Sequence, residues 1–346
     1  MGGLLFNTQR LGLLDYLAFS REISSILTFY GIEFKIPRHY RIKKSFGDLD
    51  VIVKTETTLD MLIGIFRKCE YKAAPGGEMI SFNFKNFQID FIRIAPENFE
   101  IACYYFNYND LGNLIGQLAK QRGLKFGMDG LKYNHYVKGQ LKGTIYISKD
   151  INKILEFLDL DPTVYHRGFT ELEDIFDFVI KSKYFNPYVS DLEPYGYDQK
   201  GVALYRLSKI NRERNSKRKT YMEWLDYIKK YKTDEEKYPF RETDINKIFN
   251  DVEKAFPECA IRAKIGFFLL EEQSLKKIKE KFNGNVIIKL LPELPKEDYQ
   301  IFMDSFKTYV SKKYTKFDNF VAAASQDLIN GEVMKFYKLF KERYYE

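Results

Sequence analysis

Three observations predict an α+β fold for this 346-residue chain: a small mixed sheet, a helical flanking region and a mostly helical C-terminal domain. First, hydrophobic residues recur at helical spacing up to Tyr30 and then switch to alternating, β-branched runs at 34–36, 50–53, 80–84 and 87–94. Second, helical spacing returns from Asn98 onward. Third, Pro187, Pro194 and Gly196 punctuate a junction near 187–201, beyond which the chain reads as helical with one strand. These features give an N-terminal helical segment over 1–35, a central α+β region over 36–195 and a C-terminal domain over 196–346.

The elements follow in order. Leu13, Leu14, Leu17, Ile23, Ile26, Leu27 and Tyr30 define a first helix that stops before Gly31. TLDMLIGIFRKCEY (58–71) reads as a helix between strands. ISFNF and FQIDFIRI flank Lys85-Asn86, a hairpin turn. Two helices follow, NFEIACYYF and NDLGNLIGQLAKQRGL, the second ending near Gly123, then a short extended pair near 133–147. Ser148 is expected to cap SKDINKILEFLDLD, and Thr170-Glu-Leu-Glu reads as a capping box opening TELEDIFDFVIKSKYF. In the C-terminal part, NVIIKLL (285–291) reads as a strand.

Composition narrows the function classes. The net charge of +7 permits a polyanionic partner, although 48 acids against 55 bases leave no uniformly basic coat. Cys69, Cys103 and Cys259 lie too far apart for a zinc site or a disulfide framework, and His39, His135 and His166 are as scattered. No basic-then-apolar leader, no run of about 20 apolar residues and no myristoylation pattern around Phe6 is present. A cytoplasmic protein is expected.

The chemistry concentrates in KKSFGDLDVIV (43–53). Residues two apart on a strand share a face, so Asp48 and Asp50 project together while Leu49, Val51 and Val53 point into a core. Gly47 leaves room beside them. Paired carboxylates repel, and a cation between them relieves the cost. Asp90 adds a third acid in the middle of an otherwise apolar strand. If the two strands are neighbours, the three acids converge on one or two Mg²⁺ ions, the arrangement that two-metal phosphoryl transfer uses. A Gly-Asp pair is also an ordinary turn signal, and Asp-x-Asp occurs in sugar-nucleotide transferases. The basic lead-in and the third Asp inside a later strand favour the catalytic reading.

GDLDVIV resembles the Gly-Asp-x-Asp-hydrophobic signature of the polymerase beta nucleotidyltransferase superfamily. The stretch 89–131 is similar, in order and spacing, to the palm and following helices of X-family DNA polymerases, and the likeness extends over about 36–187. The resemblance implies a nucleotidyltransferase-fold palm that adds nucleotides to a nucleic-acid 3′-hydroxyl with two Mg²⁺ ions, for which Mn²⁺ can substitute. By that match Asp48 and Asp50 bind both metals, and Asp90 binds the catalytic metal and orients the primer hydroxyl. Tyr105 and Phe106 lie against the incoming sugar, Asp110 and Asn113 near its base, and Arg41, Lys43, Lys44, Ser45 and Gly47 along the phosphates. The implied partners are a nucleoside triphosphate and a 3′-hydroxyl end, DNA rather than RNA, with no membrane.

The sequence departs from that pattern at four places. Pro37 and Arg38 occupy the positions of a Gly-Ser pair that grips the triphosphate, Tyr108 replaces a Gly, and Arg93 stands one place late. Only a short segment precedes the palm. A template-independent RNA nucleotidyltransferase of the tRNA or poly(A) type, and a non-catalytic nucleic-acid-binding protein with a palm-like domain, therefore stay open. The stretch 205–232 holds ten Lys or Arg against three acids, and Arg212, Arg214, Lys217, Arg218 and Lys219 are its candidate nucleic-acid contacts. Its aromatics Tyr205, Tyr221, Trp224, Tyr227 and Tyr231 are spaced for packing rather than base stacking.

Overall fold

The β-branched runs pair into one five-stranded mixed sheet in the computed structural model, which describes residues 5–199, 202–233, 237–238, 244–314 and 316–344. The first four residues of the Gly-Leu-rich opening lie outside that set. Strands β1 (Phe34–Lys35), β2 (Asp48–Lys54), β3 (Glu70–Ala73), β4 (Met79–Phe84) and β5 (Phe87–Ile94) take the order β1-β2-β5-β4-β3. Only β2 and β5 run parallel. Helix α1 (Leu13–Phe29) precedes β1, and the connection from β2 to its parallel partner β5 runs through α2 (Leu59–Ile65), β3 and β4.

Side-chain alternation divides the sheet cleanly. Leu49, Val51, Val53, Ile80, Phe82, Phe87, Ile89 and Phe91 face one side and bury against Tyr16, Phe19, Ile23 and Leu27 of α1 and Leu62 of α2. The opposite side is apolar only at one end, where Ile52 and Ile94 pack against Phe99 and Ala102 of α3 (Phe99–Phe106). Its other end carries the acids. Lys85 and Asn86 both adopt positive φ, 51° and 61°, as the tight hairpin between β4 and β5 requires.

Beyond α3 come α4 (Leu111–Gln121), a second sheet of β6 (Lys125–Gly127), β7 (Gly130–Val137) and β8 (Gln140–Ser148), then α5 (Ile151–Phe157), α6 (Pro162–Arg167) and α7 (Leu172–Ile180). A two-stranded ribbon, β9 (Gly196–Tyr197) with β10 (Ala203–Leu204), leads to α8 (Lys209–Asn215), α9 (Lys219–Ile228) and α10 (Ile245–Ala255). The remaining helices are α11 (Ile261–Lys281), α12 (Gly284–Leu290), α13 (Tyr299–Lys313), α14 (Phe317–Ala323) and α15 (Gln326–Tyr344). The chain divides into two compact units, Met1–Ile261 and Arg262–Glu346. The second has its own core, built on Phe282, Ile287, Leu291, Phe302, Phe306, Val333 and Phe340.

Several sequence expectations are corrected. The junction near 187–201 is interior to the first unit, because α9 and α10 pack back on it. Tyr221 receives a hydrogen bond from Gln117 at 3.0 Å, Trp224 donates to Ser190 Oγ at 2.9 Å, and Arg122 donates to Asp251 at 2.6 Å. The helix read over 58–71 stops at Ile65, and Glu70–Ala73 instead pairs with β4 at the sheet edge. All four of those edge residues are exposed, so no buried alternation marked them. NVIIKLL is helical: the Asn283 side chain caps α12 by accepting from the Val286 amide at 3.1 Å, and no strand lies among the described residues of that unit to pair with it. Asp150, not Ser148, caps α5, and Asp174 rather than Glu173 closes the capping box of α7.

Candidate metal centre

The parallel ladder between β2 and β5 sets Asp50 directly opposite Asp90 and Asp48 opposite Gln88. Strand parity then puts all four side chains on the face turned away from α1 and α2. One carboxylate oxygen from each of Asp48, Asp50 and Asp90 lies within 4.8 Å of the others. Asp90 is buried, whereas Asp48 and Asp50 are half-buried. The Gln88 amide donates to both Asp90 oxygens at 2.9 Å, and its own oxygen accepts the Leu5 amide at 3.1 Å. Asp90 is thus held in one orientation.

Electrostatics mark the cluster as costly by itself. Burial, followed by the charges of Asp48 and Asp90, pushes the Asp50 carboxyl up to about 8, against the pull of Lys43 and Arg218. Burial, with Asp48 contributing, raises Asp90 to about 6. The Tyr16 phenol is also raised, by burial and then by Asp50 and Asp48. Three oxygen donors of this kind, close together, suit a hard divalent cation. The three carboxylates could hold a metal ion.

The surrounding candidates separate into two groups. Lys43 belongs to the centre: its ammonium donates to Asn109 at 3.0 Å and lies 4.7 Å from the Phe46 ring, and burial lowers its pKa while Asp48 and Asp50 oppose that shift. Gly47 is buried between Phe46 and Asp48. Arg41 is otherwise engaged, donating its backbone amide to Phe169 and its guanidinium to the Arg167 carbonyl, each at 3.0 Å. Lys44 is exposed, and the Ser45 hydroxyl accepts from Arg10 Nε at 2.8 Å. His39 is half-buried edge-on to Tyr16 and Phe46 at 5.6 and 4.8 Å.

On α3, Phe106 packs with the Ile52–Ile94 cluster, while Tyr105 lies edge-on to Phe126 at 5.6 Å. Asp110, at the start of α4, is buried and pairs with Arg218. Asn113 accepts from Arg214 at 3.1 Å and donates to Asn215 at 3.5 Å. The basic stretch therefore does not act as one surface. Arg218 is half-buried against Asp110, Arg214 is exposed but bonds Asn113, Lys217 and Lys219 are exposed, and Arg212 stacks on Tyr205 at 3.3 Å and donates to the Leu207 carbonyl at 2.7 Å.

The departures noted in the sequence have structural roles. Arg38 donates its amide to Asn107 at 2.7 Å, accepts from the Tyr108 amide at 2.6 Å and reaches the His166 carbonyl at 2.9 Å. Tyr108 has φ 58°, a backbone state that favours glycine, and its ring is buried edge-on to Phe169 at 4.8 Å. Arg93 staples three carbonyls, those of Thr55, Thr57 and Gly77, at 2.8–2.9 Å. Two contributors escaped the sequence reading. Gln88 was signalled only by standing two residues before Asp90, and Asn109 by nothing local. No protein-family profile matches the chain, and no curated protein matches its sequence.

Proposed function

We propose that this protein is a nucleotidyltransferase that adds nucleotides to a nucleic-acid 3′-hydroxyl, most consistent with a DNA polymerase of the X-family type. The observation that carries the reading is the convergence of Asp48, Asp50 and Asp90 across two parallel strands. A divalent ion held there, or two, would neutralise polyphosphate charge and lower the pKa of an attacking hydroxyl. The chain's own groups do the rest. Gln88 fixes the Asp90 carboxylate, which orients the 3′-hydroxyl; Lys43 supplies positive charge beside Asp48 and Asp50. The 3′-oxygen forms a bond to the α-phosphorus as the bond to the β-phosphate oxygen breaks, and diphosphate leaves.

Transfer of ribonucleotides to RNA ends is the second reading. Tyr108, which stands where the resembling family has glycine, leaves it open, and its ring is buried against Phe169 and Tyr165. The purified chain with Mg²⁺, offered labelled dNTPs or rNTPs on gapped DNA, single-stranded DNA and RNA, separates the readings. Template-matched dNTP addition is expected, and Asp90→Ala should abolish it while leaving oligonucleotide binding nearly intact. Untemplated rNTP addition to RNA selects the second reading. Extension of no substrate leaves only a non-catalytic nucleic-acid-binding role.

A further inference from the structure

The strand-side approach to the carboxylates is poor in available cations. Arg38 and Arg41 spend their guanidinium groups on backbone carbonyls of the α6 end, and Arg10 is occupied with the Ser45 hydroxyl and carbonyl. Of the two lysines left, Lys44 is exposed and Lys43 is half-buried beside Asp48 and Asp50, and that one ammonium is a weak match for a triphosphate, which carries several negative charges. A second cation arrives from more than a hundred residues away in sequence. Lys43 bonds Asn109 and Arg218 pairs with Asp110, consecutive residues whose Cα atoms are about 3.8 Å apart. Their charged ends are therefore brought to the same short stretch of backbone.

We propose that Arg218, seated by Asp110 beside Lys43, binds the terminal phosphates of the incoming nucleoside triphosphate. This rests on the nucleotidyltransferase reading and names the group that replaces the missing Gly-Ser grip. The Arg218 guanidinium offers five N–H donors, its contact with Asp110 uses Nη1, and about a third of the side chain is exposed (32%). A planar fork anchored at one corner retains a free edge for phosphate oxygens. The Arg218 charge also exerts a minor pull on Asp50, beside the larger effects of burial and the neighbouring carboxylates. Arg214, bonded to Asn113 about one turn further along α4, extends the same edge.

The test is calorimetric binding of nucleoside triphosphate and monophosphate, each with Mg²⁺, to the full chain and to Arg218→Gln. The expected result is a loss of triphosphate affinity of about tenfold or more with monophosphate affinity unchanged, the size of a lost charge-assisted contact. Lys229→Ala, at an exposed position just past α9, should stay within about twofold of the wild type on the same scale. Should Arg218→Gln not fold, Arg218→Lys carries the test, since it keeps the charge but not the fork; weaker triphosphate binding supports the proposal and equal binding overturns it. Equal losses for both nucleotides would mean a purely structural ion pair, and a loss confined to oligonucleotide binding would assign Arg218 to the primer; either overturns the proposal. A wild-type chain that binds no triphosphate contradicts the function itself, whereas tight wild-type binding left unchanged in Arg218→Gln contradicts this inference alone.

Discussion

Asp50 keeps its proton up to about pH 8 in the folded chain and Asp90 to about pH 6, against an ordinary value of 3.8. The sign of the consequence follows by linkage. Above the ordinary value the unfolded chain has released protons that the folded chain still holds, so raising the pH favours unfolding until the folded groups have titrated. The melting temperature without divalent ions should therefore fall between about pH 4 and pH 8, and Asp50→Asn should flatten that slope. Added Mg²⁺ should stabilise more at pH 8 than at pH 5, where protons compete for the same oxygens. Equal slopes for wild type and Asp50→Asn would contradict this account. Gln88→Leu, which keeps the volume but removes both hydrogen bonds to Asp90, should weaken Mg²⁺ affinity about 10–100-fold, as losses of groups that orient a ligand do; titration calorimetry reads it directly. The three acids were legible in the sequence because strand parity is a strict rule. Gln88 was not, because an amide in a strand looks like any polar residue until its partner is known.

At the scale of elements, the parallel pairing of β2 with β5 turns residues forty apart in sequence into neighbours, and the contact of α3 with α4 sets Asp110 and Asn113 in place. That contact leaves no space at Gly112: a Cβ there would lie 2.1 Å from the Tyr105 carbonyl oxygen. Gly112→Ala should destabilise the fold by about 1–3 kcal/mol, as overpacking does, and weaken nucleotide binding because α4 must move. Thermal melts and binding titrations check both, and a variant that melts and binds like the wild type would show that α4 is not fixed there. In the second unit, Asn283→Ala should cost about 1 kcal/mol through loss of the α12 cap. The same cap explains why NVIIKLL misled the sequence reading: Val286, Ile287 and Ile288 favour strands, but Asn283 and the four-residue spacing of the buried Ile287 and Leu291 favour a helix. The exposed strand β3 lacked any periodic signal, so the helix before it was read too far.

The whole molecule holds every residue assigned to the centre in one unit, Met1–Ile261. The Pro-Gly junction near 187–201 suggested a boundary because those residues often mark linkers. Here Pro187 begins a short turn whose Ser190 receives Trp224, and Arg122 lies against Phe157 and Tyr184 while pairing with Asp251, so α9 and α10 join the unit that carries the acids. Tertiary contacts between distant residues fix such a boundary, and they leave no local mark in the chain. A protein ending after Ile261 should accordingly bind Mg²⁺ within about twofold of the full chain, a difference no larger than that of independent sites; a large loss in calorimetry would move part of the centre into 262–346. No described helix is long and apolar enough to cross a membrane. The most direct test of the central claim is anomalous diffraction from crystals grown with Mn²⁺ and a nucleotide. A manganese peak bonded to Asp48, Asp50 and Asp90 at about 2.1 Å is the predicted result; ordered manganese elsewhere, with none among these three carboxylates, would contradict it.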